Sequence, residues 1–163
     1  MGVKFRVIVI TMLLCAALIP AFADTSATLS LKGSVAASSS ISITAASAAT
    51  SLTLNSSTST DTVTVGTITA LSNSPTGYSV SVSSANGGNL KGAVSSNTDS
   101  IAYTLYVNGA SCPLSTSAQI ISALSSSSKT TGTTTTLSIM YTENTTLSAD
   151  TYSDTITFTI AAK

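Results

Sequence analysis

The sequence contains few of the side chains on which enzymes and nucleic-acid-binding proteins depend. It has no histidine and no tryptophan, and only 6 basic and 6 acidic residues in 163. Without histidine the commonest general base is missing, and no Gly-x-Ser-x-Gly element supplies a serine nucleophile. Clustered cations, which would bind nucleic acid or an anionic membrane surface, are missing too. We therefore expect neither an enzyme nor a nucleic-acid-binding protein, and no cofactor.

The few carboxylates do not form a pattern typical of an active site. Asp150 and Asp154 lie where a turn leads into a predicted strand, which favours turn capping over acid–base chemistry. A calcium site would require Glu143 to join these two residues, because hard cations prefer oxygen ligands. No loop has the dense Asp and Asn spacing of such a site, so the sequence assigns no metal ligand and no catalytic residue.

The first 23 residues have the features of a cleaved signal peptide. Lys4 and Arg6 form a basic start, residues 7–19 form an apolar run, and residues 21–23 read Ala-Phe-Ala, a typical cleavage site. The alternative is a membrane anchor, but the apolar run is shorter than the roughly 20 residues that a spanning helix needs. We expect cleavage before residue 24, secretion, and no membrane span afterwards.

Cysteine is almost absent from the predicted mature chain. Only Cys112 lies after residue 23, so no disulfide can form within one mature molecule. A lone thiol in an oxidising compartment is either buried and inert or free to pair with another chain. The flanking Ser111 and Pro113 indicate a loop, and we favour a small buried apolar residue.

Alternation of Ser and Thr with aliphatic residues dominates the rest of the chain. Ser and Thr make up 60 of the 140 residues in 24–163, and such alternation is typical of strands with one buried and one wet face. Turn sequences recur about every ten residues, which predicts an antiparallel β-sandwich in a single domain, 24–163. The predicted strands cover residues 27–35, 41–44, 51–55, 62–70, 78–82, 101–108, 135–142 and 151–161, with a short strand or helical turn at 119–124 and a bulge or close approach at Gly66.

The two ends of this domain predict an interaction between strands. Residues 27–35 alternate cleanly, with Ala27, Leu29, Leu31, Gly33 and Val35 on one face. The chain finishes directly after its last alternating strand, and a strand in that position risks leaving an open edge that recruits another strand. In donor-strand complementation, an N-terminal segment of one subunit fills the groove of the next. The alternative is that residues 27–35 form the first strand of their own domain, and the pattern alone favours neither.

Three runs of residues resemble a known family. They are residues 77–88, Gly-Tyr-Ser-Val-Ser-Val-Ser-Ser-Ala-Asn-Gly-Gly, residues 101–109, Ile-Ala-Tyr-Thr-Leu-Tyr-Val-Asn-Gly, and residues 149–160, Ala-Asp-Thr-Tyr-Ser-Asp-Thr-Ile-Thr-Phe-Thr-Ile. Together they resemble spore-coat-U-like domains, the subunits of archaic chaperone–usher fimbriae. The Asp-Thr-Tyr-Ser-Asp-Thr turn into a Thr-alternating strand is the most specific part of the likeness. The chain differs from many such subunits in having no cysteine pair.

The resemblance implies a fold, partners and a location. It implies an immunoglobulin-like antiparallel β-sandwich that lacks its last strand and polymerises by donor-strand exchange, with residues 27–35 as donor. The implied partners are a homopolymer or other fimbrial subunits, a periplasmic chaperone and an outer-membrane usher; the implied route is through the periplasm to the cell surface. The implied acceptor groove includes Tyr152, Ile156, Phe158 and Ile160. The alternative is a self-complemented secreted sandwich that binds a surface ligand or the cell envelope.

Overall fold

The computed structural model describes residues 25–163, in which the predicted all-β class is confirmed. The predicted signal peptide, residues 1–23, lies outside the described residues. Residues 25–38 contain neither helix nor strand, and residues 25–34 belong to a separate unit from Val35–Lys163. Two short 3₁₀ helices cover Ser47–Thr50 and Ser122–Leu124. The strands are β1 (Ser39–Ala45), β2 (Thr60–Ser72), β3 (Tyr78–Ser84), β4 (Asn89–Gly92), β5 (Ser100–Val107), β6 (Ala110–Cys112), β7 (Gln119–Ile120), β8 (Thr130–Thr142), β9 (Tyr152–Ser153) and β10 (Ile156–Ala162).

These strands form two antiparallel sheets that pack as a sandwich, as predicted. The larger sheet has the order β1-β2-β8-β5-β4-β9, and β6 also pairs with β5. The smaller sheet has the order β10-β3-β7. Consequently β1 lies at one edge of the larger sheet and β10 at one edge of the smaller sheet.

The core lies between the sheets and consists of the inward-facing residues of each strand. In β3 the side chains of Tyr78, Val80, Val82 and Ser84 are buried, whereas the three serines between them are only partly buried. This two-residue period follows from the pleat, which turns successive side chains to opposite faces. The buried apolar cluster also includes Ile68, Ala70, Leu90, Ile101, Tyr103, Leu105, Val107, Cys112, Ile121, Leu124, Leu137, Ile139 and Tyr141.

The outward face of the larger sheet is covered with hydroxyl groups. Facing threonines on β2 and β8 hydrogen bond across the strands, with Oγ1–Oγ1 distances of 2.9 Å for Thr69–Thr134 and 3.0 Å for Thr60–Thr142. Cross-strand hydroxyl pairs add a few tenths of a kcal/mol to roughly 1 kcal/mol each to sheet stability. The Ser and Thr content therefore serves the solvent side of a sandwich.

Gly66 marks the predicted irregularity in β2. The pairing of β2 with β8 shifts register between Thr64 and Gly66, as expected of a bulge. A Cβ atom on Gly66 would lie 2.5 Å from the carbonyl oxygen of Thr44 on β1. The glycine thus allows the edge strand β1 to approach β2 closely.

Three of the predicted strands differ from the structure. Residues 51–55 follow a 3₁₀ helix and form no strand, because the carbonyls of Thr53 and Leu54 accept hydrogen bonds from the Tyr141 hydroxyl and the Asn144 N–H rather than from a partner strand. The strand predicted over 151–161 is two strands: β9 pairs with β4 in the larger sheet, whereas β10 pairs with β3 in the smaller one. The chain changes sheets at Asp154 and Thr155, which alternation cannot reveal. Residues 27–35, the alternative first strand of the domain, contain no strand, and the first strand after Thr25 is β1.

Candidate functional site

The candidate site is the open seam between β1 and β10. Among residues 25–163, β1 pairs only with β2 and β10 pairs only with β3. Cα atoms of β1 and β10 nevertheless lie within 8 Å of each other. Each strand therefore presents one backbone edge that no described strand covers, and these edges belong to different sheets of the same sandwich.

The hydrogen bonds at the two ends of the β3–β10 ladder identify the free backbone groups of β10. Lys163 N–H donates to the Gly77 carbonyl at 3.0 Å, and Ala85 N–H donates to the Thr155 carbonyl at 2.9 Å. In an antiparallel ladder the bonded residues alternate, so the odd-numbered residues of β10 point their N–H and C=O groups toward β3. The corresponding groups of Ile156, Phe158 and Ile160 point to the open edge.

The same reasoning applies to β1. Asn73 N–H donates to the Ser38 carbonyl at 3.0 Å, and Ala46 N–H donates to the Val65 carbonyl at 2.9 Å. The even-numbered residues of β1 therefore bond to β2, and the N–H and C=O groups of Ile41 and Ile43 point to the open edge. The residues that offer free backbone groups on both strands are those whose side chains face the core.

The apolar side chains along this seam are incompletely buried. Ile156, Phe158 and Ile160 lie opposite Ser84, Val82 and Val80, which are at most 1% exposed, yet they are only partly buried themselves. On β1, Ile43 lies opposite the fully buried Ile68 but is 49% exposed. Facing residues share one side of a sheet, so these side chains face inward. Their exposure results from the position of their strands at the open edge.

Three of the four predicted groove residues lie together, and the fourth does not. Ile156, Phe158 and Ile160 share the inward face of β10, whereas Tyr152 lies on β9 in the other sheet. The hydroxyl of Tyr152 donates to the Ser148 carbonyl at 2.9 Å, and Asn97 Nδ2 donates to that hydroxyl at 3.1 Å. The assignment of Tyr152 to the same strand as Ile156 is therefore corrected, and its contacts belong to the β9 turn.

The predicted donor residues have no strand conformation in this structure. Residues 27–35, which include Ala27 and Gly33, form no helix or strand. The exposed fractions are 85% for Leu29, 87% for Leu31 and 90% for Val35. Three large aliphatic side chains, spaced for one face of a strand, are thus almost entirely in solvent. Their role as donors stays a prediction.

Asp154 fixes the point at which β10 begins. Its carboxylate accepts hydrogen bonds from the backbone N–H groups of Asn86 at 3.0 Å and Thr155 at 2.7 Å, and from the hydroxyls of Ser84 and Tyr103. Burial, together with the bond to Asp154, raises the pKa of Tyr103 well above its usual range, so the phenol remains a donor. This network ties the start of the edge strand to β3 and β5 and so orients the seam.

Neither Asp150 nor Glu143 joins Asp154 in a metal site. Among the described residues no three acidic, cysteine or histidine side chains cluster as metal ligands would. Val94 N–H and Asn97 Nδ2 donate to Asp150 at 3.0 and 2.8 Å, and these bonds, that from Asn97 foremost, lower its pKa. The carboxylates act as acceptors for turn amides, which agrees with the turn-capping interpretation.

Glu143 is buried and anchors the segment before β2. It is 4% exposed and accepts bonds from Ser56 Oγ at 2.6 Å and Ser57 N–H at 2.6 Å. The hydroxyl of Ser56 is the main cause that lowers the pKa of Glu143 below its ordinary value of 4.5. The sequence did not single out this role, although the Asn-Ser-Ser run before β2 supplies several donors.

Glu143 should make the stability of the domain depend on pH in the acid range. Because its pKa is lower in the folded state, its contribution is present above the unfolded pKa and is lost as the pH falls through the folded pKa. We expect Glu143→Gln to lower the urea midpoint at pH 7 and to approach the parent protein at pH 3. Ser56→Ala, which removes one donor to Glu143, should lower the urea midpoint at pH 7 by part of the same amount. A difference in urea midpoint between parent and Glu143→Gln that is equal at pH 7 and pH 3 would contradict this account.

Cys112 is buried, as the sequence suggested. It is a free thiol, 4% exposed, in the apolar cluster, and burial raises its pKa. A protonated, buried thiol is a poor nucleophile, so the residue acts as a small apolar side chain.

Comparisons with known proteins leave the resemblance as an expectation. No family model matches the chain, and no curated protein matches it significantly. In residues 25–163 there is no helix of the length and apolar character needed to cross a membrane.

Proposed function

We propose that this protein is a structural subunit of a surface fimbria and polymerises by donor-strand exchange. In this proposal, residues 27–35 of one copy occupy the seam between β1 and β10 of the next copy. The observation that carries it is the seam itself, where two backbone edges that no strand of residues 25–163 covers bear incompletely buried isoleucine and phenylalanine side chains. The proposal assigns the protein no catalytic chemistry.

An inserted strand would satisfy both edges at once after β1 and β10 move apart, because a strand paired on both sides separates its two neighbours by about 10 Å, whereas Cα atoms of β1 and β10 now lie within 8 Å of each other. One side of its backbone would pair with Ile156, Phe158 and Ile160, and the other with Ile41 and Ile43. Buried backbone N–H and C=O groups without partners are costly, which gives exposed strand edges their tendency to recruit another strand. The two sheets would then be joined through the inserted strand.

The donor segment has suitable length and pattern for this position. A strand rises about 3.3 Å per residue, so nine residues reach about 30 Å. β1 and β10 each contain seven residues and span about 23 Å on the same scale. Residues 27–35 can therefore run the length of the seam while every second side chain points into it.

Burial of the donor side chains supplies the driving force. Leu29, Leu31 and Val35 are nearly fully exposed, and burying such a side chain stabilises a complex by roughly 1.5–3 kcal/mol. Three of them supply several kcal/mol, against an association cost of about 4–15 kcal/mol that the backbone pairing must help to offset. Alternating polar residues such as Lys32 would remain on the solvent side.

The same seam accounts for the partners and route in the proposal. A subunit with an unfilled groove exposes apolar surface and a strand edge, both of which favour aggregation. A periplasmic chaperone would cover the groove in transit, and an outer-membrane usher would receive the subunit for assembly at the cell surface. These partners follow the family that the sequence resembles.

A peptide complementation experiment tests the proposal. We expect protein comprising residues 24–163 to polymerise, and a variant lacking residues 24–35 to remain unpolymerised and less stable. A synthetic peptide of residues 27–35 should raise the melting temperature of the shortened variant. A control peptide with Leu29 and Leu31 replaced by Ser should not. If the longer protein is instead a stable monomer at high concentration, the self-complemented alternative is correct and the proposal fails.

A further inference from the structure

We infer that Asn73 is a positioning residue that directs residues 27–35 toward a second copy of the chain rather than into their own seam. The inference rests on the proposed function and adds to it a reason why the donor segment pairs with another copy instead of with its own domain. It concerns the three residues, 36–38, that connect the donor segment to β1.

Asn73 forms hydrogen bonds to this connection through both its side-chain amide and its backbone. Its Oδ1 accepts a bond from Ser38 N–H at 2.7 Å, and its Nδ2 donates to the Ala36 carbonyl at 2.8 Å. Its own backbone N–H donates to the Ser38 carbonyl at 3.0 Å. The side chain thus acts as an additional peptide group beyond the end of β2, to which the backbone of residues 36–38 is bonded although it forms no strand.

A donor segment that folded back would have to reverse direction inside the same connection. Only residues 36–38 separate the segment from β1, so pairing with the open edge of β1 would require a tight hairpin there. Hairpin loops of two to five residues need turn conformations at their central positions. A backbone bonded at both Ala36 and Ser38 to one side-chain amide would have to give up these bonds to Asn73 to form such a turn. The two hydrogen bonds of the Asn73 side chain therefore disfavour self-complementation and leave strand exchange between copies unaffected.

The expected size of the effect follows from the bonds involved. Loss of the two side-chain bonds corresponds to a change on the order of tenfold in the ratio of self-complemented monomer to polymer. Self-complementation is concentration-independent, whereas exchange is not. The shift should thus be largest in dilute solution.

The test compares mature full-length protein with Asn73→Ala and Asn73→Asp by light scattering after size-exclusion chromatography. Asn73→Ala should raise the ratio of monomer to polymer about tenfold. Asn73→Asp, which keeps the acceptor for Ser38 N–H, should have a smaller effect and carries the test if the alanine variant does not fold. Asn55→Ala is the matched control, because Asn55 is exposed and its side chain bonds to no described residue. It should polymerise as the parent does.

Cross-linking separates folding back from a general loss of assembly. Lys32→Cys and Ser42→Cys place thiols on the solvent side of the donor and of β1, and Cys112 is buried. A bis-maleimide should produce ladders of linked chains with Asn73 present and mainly intrachain links in Asn73→Ala. Equal ladders in both would overturn the role of Asn73 and leave the fimbrial proposal intact. A parent protein that is itself monomeric with intrachain links would overturn both.

Discussion

Replacing Leu31 with Asn is expected to abolish polymerisation without unfolding the domain. Leu31 is 87% exposed, so its removal costs the monomer no packing. In the polymer the same side chain would lie in an apolar groove between β1 and β10. The loss of its burial and the cost of an unpaired amide amount to roughly 3–6 kcal/mol, a drop of at least about a hundredfold in affinity between subunits.

The neighbouring residue offers the control for this substitution. Ser30 is also exposed, but alternation places it on the opposite face of the donor segment, which would remain in solvent. Ser30→Asn should therefore polymerise like the parent protein. Electron microscopy and light scattering measure the outcome. Filaments of ordinary length from Leu31→Asn would contradict the use of residues 27–35 as donor strand.

Periodicity predicted the faces of the strands well because the pleat imposes it locally. In β3 the alternation of Tyr78, Val80 and Val82 with serines gives the buried and wet faces that the structure shows. The same holds for Ile156, Phe158 and Ile160 on β10. Such patterns need only the neighbouring residues of one strand, and most of the sandwich could therefore be predicted from the sequence.

Features that depend on distant residues could not be predicted in the same way. The break between β9 and β10 arises because Asp154 accepts hydrogen bonds from groups such as Tyr103 on β5, 51 residues away. The hydrogen bond from Asn73 to the Ala36 carbonyl likewise joins residues 37 apart in sequence. A turn sequence shows that Asn73 is suited to a turn, but not which backbone its amide contacts. The seam emerges only when both edge strands are placed, which requires the sheet order.

Substitution of Gly77 tests how tightly one end of the smaller sheet is built. Gly77 has a φ of +85°, and a Cβ atom there would collide with the carbonyl oxygen of Ser126. That carbonyl accepts the N–H of Tyr78 at 3.0 Å, and Ser126 N–H donates back to Tyr78 at 3.0 Å. An added methyl group must therefore break this bridge beside a buried tyrosine. We expect Gly77→Ala to lower the free energy of unfolding by at least about 3 kcal/mol.

Gly109→Ala is the control for this substitution, because it introduces the backbone strain without the steric clash. It has a similar φ of +79°, but a Cβ atom there would have no neighbour within 4 Å. Gly109→Ala should therefore cost only the left-handed conformation, about 1–2 kcal/mol. Urea denaturation of both variants in the Leu31→Asn background would measure the difference in a chain that we expect to remain monomeric. Equal losses would show that Ser126 can move away at little cost, in which case the end of β3 that faces Ala162 of β10 is not rigidly held. A larger loss for Gly77→Ala than for Gly109→Ala would instead mean that the end of β3, with which the edge strand β10 pairs, is fixed before any partner strand arrives.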